Sequence, residues 1–272
     1  MKALVTGAKG MLGQDLCPIL EDNGFEVIET DIHNLDITKD CTEFIMAEKP
    51  DLVIHCAAYT NVDKAEEDLE TARLINAVGA ENIAKACAKA DATMVYISTD
   101  YVFDGTKNEP YLPEDKPNPI NNYGLTKLQG EEAVKKHCTK YYIARTSWLY
   151  GHHGRNFVET MISLADKPEL KVVDDQIGCP TWTVELANGI LKLLDKPFGT
   201  YHVCGSGHTS WYGFAKEIFE QEGLKVNLNP CATEEFPRPA KRPKFSIMEN
   251  NGITRDWKSA LKDYLALREV TV

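Results

Sequence analysis

One unit recurs through the first two-thirds of this chain: a short apolar run rich in Val and Ile, a turn, then a longer stretch with helical spacing. The runs fall at residues 3–6, 27–30, 52–57, 94–98, 142–146 and 170–173. Each is apolar on both faces, as in strands of a parallel sheet covered on both sides by crossover helices. Helical spacing fills residues 12–21, 42–48, 65–90, 123–136 and 157–165. The pattern predicts a doubly wound α/β fold. Pro18 lies inside the first helix, where it removes a hydrogen bond, so a kink or strong tertiary support is expected there.

Beyond about residue 175 the elements shorten, prolines cluster at 236–243, and Asn250-Asn251-Gly252 marks a turn. Residues 1–174 therefore read as a dinucleotide-binding domain. Residues 175–272 read as mainly a small α/β substrate lobe over the carboxyl edge of the sheet, with room for segments that return to the main domain.

Composition narrows the function classes. The 41 Asp and Glu exceed the 30 Lys and Arg, for a net charge of −11, which argues against a broad nucleic-acid face. Apolar runs are too short to cross a bilayer, and the opening lacks the order of a signal peptide, so no membrane partner and a cytoplasmic location are expected. The eight cysteines form no C-x-x-C pair and are expected as free thiols, with no metal site of their own.

Thr6-Gly7-Ala8-Lys9-Gly10-Met11-Leu12-Gly13 follows the first strand and opens a helix. Its glycines, at 7, 10 and 13, stand where backbone must approach a pyrophosphate at a helix N-terminus. The second run ends at Asp31, whose carboxylate would accept hydrogen bonds from an adenosine ribose and repel a 2′-phosphate. Lys9 would offset that repulsion, so the choice between NADH and NADPH stays open.

Tyr123 and Lys127 lie one helical turn apart on one face. A nearby ammonium stabilises phenolate and would lower the tyrosine pKa into a range useful for proton transfer with a carbonyl or alcohol. With 11 tyrosines and 23 lysines, about one Y-x-x-x-K is expected by chance, and Tyr212 to Lys216 is a second. Position favours Tyr123: it begins a helix after the loop that leaves the fourth strand, which ends in Ser98-Thr99-Asp100-Tyr101. Tyr212 follows Ser210, a helix-capping residue type, and has no glycine loop beside it.

Together the T-G-x-x-G-x-x-G opening, the Ser-Thr hydroxyls and Y-x-x-x-K resemble the extended short-chain dehydrogenase/reductases. Within them the chain is most similar to the family of dTDP-4-dehydrorhamnose reductases, through 57–66 (AAYTNVDKAE), 98–105 (STDYVFDG), 123–127 (YGLTK), 145–150 (RTSWLY), 175–181 (DQIGCPT), and Arg242-Pro243 followed by Ser246. The resemblance implies a Rossmann-type fold and NADPH- or NADH-dependent reduction of the C4 ketone of a dTDP-4-keto-6-deoxy-sugar, with a nucleotide sugar as partner. It implies Tyr123 as proton donor, Lys127 as its pKa-lowering partner and ribose ligand, and Thr99 with Asp100 as holders of the sugar and its ketone oxygen. Gly10, Met11, Leu12, Asp31, Asp36, Ile37, Ala58, Tyr59 and Thr60 match cofactor positions, Trp148 a sugar contact, and Arg242 a diphosphate partner. Some members form metal-bridged dimers; Asp15 and Glu185 fit that pattern, but Lys258 stands at the last position and would oppose Mg²⁺, so the metal is not carried over. Monomer and homodimer both stay open, as do a related nucleotide-sugar epimerase and a non-catalytic NAD(P)-binding regulatory subunit.

Overall fold

A computed structural model describes residues 1–269. In chain order its elements are β1 (Lys2–Thr6), α1 (Met11–Asp22), β2 (Glu26–Thr30), α2 (Thr42–Glu48), β3 (Leu52–His55), α3 (Lys64–Glu67), α4 (Leu69–Arg73), a π-helical turn (Leu74–Gly79), α5 (Ala80–Ala90) and β4 (Thr93–Thr99). Then come α6 (Asn122–His137), β5 (Tyr141–Thr146), β6 (Leu149–Tyr150), α7 (Phe157–Ser163), β7 (Leu170–Val173), β8 (Ile177–Gly178) and β9 (Thr181–Trp182). The rest are α8 (Thr183–Leu193), β10 (Gly199–His202), β11 (Thr209–Ser210), α9 (Trp211–Gln221), β12 (Leu228–Cys231) and α10 (Trp257–Glu269).

Six parallel strands form the central sheet in the order β10-β5-β4-β3-β1-β2. Apolar side chains leave both faces, so two cores result. Leu12, Leu16 and Leu20 of α1 pack with Leu186, Ile190 and Leu193 of α8 on one face. Ile45, Ile83, Ala84 and Val134 of α2, α5 and α6 cover the other. The winding reverses between β1 and β3, and at such a point a doubly wound sheet opens a crevice at its carboxyl edge. The glycine loop leaves β1 there.

Two expectations change. The run at 170–173 is not a strand of the central sheet: β7 pairs with β12, parallel, in a separate two-stranded sheet. Its burial alternates, with Lys171 exposed, which fits a surface covered on one side only. The sixth sheet strand is β10, an edge strand with just one fully buried residue, His202, and so without a two-sided apolar signal. The long helix at 65–90 is also divided. Asp68 leaves helical geometry (φ −130°, ψ 62°) and caps α4 by accepting from the Thr71 N–H.

Helix α1 runs through Pro18 without ending, held by its buried face of Leu12, Leu16, Cys17 and Leu20. Of residues 175–272, α8 and β10 join the layers of the central sheet, whereas α9 and α10 pack with α7 and β7 around Phe214, Ile218, Trp257, Leu261 and Tyr264. All eight cysteines are free thiols. No helix among the described residues is long and apolar enough to cross a membrane.

Candidate active site

The crevice at the carboxyl edge is a cleft of about 780 Å³. Its floor is the glycine loop. Gly7 has φ +65°, and a Cβ there would stand 2.8 Å from the Ala57 backbone. A Cβ on Gly13 would stand 2.5 Å from the carbonyl oxygens of Gly7 and Ala8. Only glycine lets β1, the loop and α1 approach this closely. No side chain caps α1 at Gly10, so its first-turn N–H groups face the cleft without a side-chain acceptor. Such an end suits a pyrophosphate, and the residues present fit a dinucleotide.

Of the expected cofactor positions, Gly7, Gly10, Met11, Leu12, Gly13, Asp31, Asp36, Ile37, Ala58, Thr60, Tyr123 and Lys127 line this cleft, with Lys9 beside them. Tyr59 does not. Its phenol oxygen is buried without a hydrogen-bond partner, while its backbone N–H and C=O are both held by Asn76, at 2.8 and 3.1 Å. Asn76 sits buried in the π-helical turn, and its side-chain amide also donates to the Thr126 hydroxyl, at 3.1 Å. Thr126 in turn donates to the Tyr123 carbonyl, at 3.0 Å, so one asparagine ties the loop after β3 to the first turn of α6. Isolated π turns recur at functional sites; nothing in the local sequence marks this one.

Tyr123, Lys127, Thr99 and Asp100 meet on one wall. Asn121 caps α6 by accepting from the Gly124 N–H, at 2.8 Å, which places Tyr123 in the first turn facing the end of β4. The Thr99 hydroxyl donates to Asp100 Oδ1 at 3.0 Å and accepts from the Tyr101 N–H at 3.2 Å. Burial pushes the Tyr123 phenol up to about 12, against a hydrogen bond with Thr99 that pulls it down. The lowered phenol expected from its lysine neighbour is therefore absent from the free chain, because desolvation of the phenolate dominates. Lys127 is itself buried and pulled down to about 7, opposed by Glu131, and its ammonium lies 4.2 Å from the centre of the Tyr96 ring. Burial raises Asp100 to about 6, against hydrogen bonds from Ser246 and Thr99.

Behind this wall lies a buried ion pair. Glu131 is one turn beyond Lys127 and receives Arg145 Nε and one terminal nitrogen, both at 2.8 Å, with the Ser98 hydroxyl at 2.6 Å. Burial works against the Glu131 charge, but the Arg145 bonds hold its carboxyl below the ordinary range. A charged residue in a strand buried on both faces was the signal in the sequence: Arg145 is the penultimate residue of such a run.

Trp148 lines the cleft with φ +46°, rare for a bulky residue, and stacks on Trp211 with ring centres 3.6 Å apart and planes 6° apart. Arg242 stands off the cleft lining. It donates to Asp63 Oδ1 and to the Ala240 carbonyl, each at 2.7 Å, and its neighbours include Tyr101 of the cleft wall. The second Y-x-x-x-K lies on α9, which Ser210 caps through the Gly213 N–H, at 2.9 Å, and Lys216 there pairs loosely with Glu220, at 3.7 Å. Asp15 accepts from Thr183, Glu185 pairs with Arg255 at 2.7 Å, and Lys258 with Glu217 at 2.7 Å. Among the described residues no group of three or more His, Cys, Asp or Glu could hold a metal ion.

A family model described as the RmlD substrate binding domain matches residues 1–269. The spore coat polysaccharide biosynthesis protein SpsK of Bacillus subtilis is 42% identical over 98% of both chains. A crystal structure of a dTDP-4-dehydrorhamnose reductase from Clostridium acetobutylicum superposes with a TM-score of 0.96 at 50% identity, over 99% of this chain and 100% of that one. A dTDP-4-dehydrorhamnose reductase from Bacillus anthracis, solved in complex with NADP, superposes at 0.95 with 43% identity, over 98% and 99%.

Proposed function

Because this chain belongs to the RmlD family, the family of the dTDP-4-dehydrorhamnose reductases, we propose that its cleft reduces the C4 ketone of dTDP-4-dehydro-L-rhamnose to give dTDP-L-rhamnose, the last step of dTDP-rhamnose biosynthesis. The supporting observation is that Tyr123, Thr99 and Lys127 share one cleft with the glycine loop and the uncapped N-terminus of α1. A nicotinamide dinucleotide would lie along Gly7, Gly10 and Gly13 with its ribose toward Asp31, and when bound it supplies the hydride. Asp31 disfavours a 2′-phosphate and Lys9 attracts one, so the two side chains pull the choice between NADH and NADPH in opposite directions.

The chain's own residues handle the proton. Thr99 and Tyr123 converge where the ketone oxygen would sit, and Tyr123 gives its phenolic proton to the alkoxide forming there. A phenol raised to about 12 is fully protonated at neutral pH, the form an acid catalyst of reduction needs. Charged Lys127, one turn away, stabilises the phenolate left behind. Trp148 would hold the sugar ring. Arg242 would meet the diphosphate through its planar fork after letting go of Asp63.

The test follows loss of nicotinamide absorbance with NADH and NADPH separately, on adding the keto-sugar generated in situ from dTDP-glucose. Substrate-dependent oxidation yielding dTDP-L-rhamnose is the expected result. Tyr123→Phe should fold and bind cofactor yet lose about 10²- to 10⁴-fold in turnover. Near-wild-type turnover in that variant would remove Tyr123 from its role. An epimerase would instead recycle its hydride and show no net oxidation.

A further inference from the structure

The loop joining β6 to α7, residues 151–156, is fastened on three sides. His152 stacks on Tyr264 of α10, ring centres 4.2 Å apart, and its Nε2 lies 3.1 Å from the Tyr264 carbonyl. His153 Nε2 lies 3.4 Å from Asp15 of α1. Asn156 donates to the Gly151 carbonyl at 2.7 Å and caps α7 by accepting from the Glu159 N–H at 3.1 Å. The loop backbone also rests on the first residue of α1: a Cβ on Gly151 or Gly154 would lie 3.1 or 3.9 Å from the Met11 side chain.

Arg155 is the cation this anchored loop carries to the cleft, where it is exposed and part of the lining. Arg145, Arg238, Arg242, Arg255 and Arg268 all stand within 4.0 Å of a carboxylate, while Arg73, exposed on α4 and without an ion pair among the described residues, lies off the cleft lining. Arg155, among the described residues, has no ion pair or hydrogen bond. A guanidinium free of carboxylates in the same cleft as uncapped N–H groups is suited to one ligand chemistry, a diphosphate, which its planar donor fork matches. Two of the loop's contacts, to Met11 and Asp15, are with α1, which sets the cation on the dinucleotide's side of the cleft.

We propose that Arg155 is a ligand of the dinucleotide pyrophosphate, acting together with the N-terminus of α1. This rests on reading the glycine loop as a dinucleotide cradle. The experiment titrates NADPH, NADH and dTDP into the wild-type chain and Arg155→Gln, with Lys167→Gln as a control for net charge. Arg155→Gln should weaken both dinucleotides about tenfold, the loss of one charge-assisted contact, and leave dTDP and the control unchanged. Unchanged dinucleotide binding in Arg155→Gln overturns the assignment. Weakening of NADPH alone also overturns it, in favour of the 2′-phosphate, and weakening of dTDP alone in favour of the sugar nucleotide's diphosphate. A wild-type chain that binds neither dinucleotide overturns the cradle itself, a failure distinct from that of Arg155.

Discussion

Glu131→Leu removes the carboxylate that the buried Arg145 depends on. Side-chain exposure is 0% for Glu131 and 1% for Arg145, so water cannot replace the lost partner. The guanidinium would keep the Pro113 carbonyl, at 3.1 Å, and the Phe103 ring, 5.1 Å away, but lose both bonds to Glu131. The Ser98 hydroxyl would lose its acceptor as well. Stranding a buried charge in this way costs about 3–5 kcal/mol, out of a total stability of about 5–15 kcal/mol. At about 2–4 °C per kcal/mol for a chain of this size, Tm should fall by about 6–20 °C. Removing both charges together, in Glu131→Leu with Arg145→Met, deletes the stranded ion and should recover most of the loss, because a buried pair contributes little beyond an apolar pair of similar volume. Urea unfolding followed by far-UV circular dichroism measures both variants. A single variant that loses less than about 1 kcal/mol, or a double variant no more stable than the single, would refute this account of the pair.

Two further outcomes are expected. Since Lys127 sits at about 7 and must be charged to support Tyr123, kcat/KM for reduction should decline as pH rises above about 7, while Tyr123, at about 12, contributes no limb in that range. A profile flat from roughly pH 6 to roughly pH 9 would exclude charged Lys127 from the reaction. The same depression, from an ordinary 10.5, means the unfolded chain binds the extra proton between about 7 and 10, so this group makes stability rise with pH over that window, and Lys127→Met should abolish that rise in urea melts. Gly13→Ala would place its Cβ 2.5 Å from two backbone carbonyls that cannot step aside, so a stability loss of about 1–3 kcal/mol and at least about tenfold weaker dinucleotide binding are expected, read by urea melts and cofactor titration.

Features set by residues near one another in the chain were legible; those set across the fold were not. Strands β1, β3, β4 and β5 announce themselves as runs buried on both faces, β2 carries only a short Val27-Ile28 core between exposed glutamates, and the glycine loop carries its own geometric demand. The sixth strand, Gly199-Thr200-Tyr201-His202, is an edge with little to bury and gave no pattern. Leu170–Val173 gave an apolar pattern for a different sheet, and only the exposed Lys171 distinguished it. Asp68, two residues before Glu70 and three before Thr71, was a readable cap inside the long helical stretch. The π turn was not readable, since Asn76 is held there by Tyr59 and Thr126, 17 and 50 residues away. The direction of the Tyr123 shift was hidden for the same reason: spacing brings the lysine near, but burial of the phenol, a property of the whole fold, decides the sign.

The two hydroxyls that end β4 show how a strand's alternation divides labour at such a site. Adjacent side chains on a strand point to opposite faces. Ser98 turns to Glu131 and the buried pair, and Thr99 turns to Asp100 and the phenol of Tyr123. Parallel register sets Ser98 beside Arg145 and Thr99 beside Thr146, so the ion pair is built across the same strand pairing that carries the site. A slip of one residue in β4 would exchange the two hydroxyls and undo both arrangements at once. The ion pair therefore gives the strand a reason to hold its register: Arg145 and Glu131 can both be satisfied in just one alignment of β4, β5 and α6, and that alignment presents Thr99 to Tyr123.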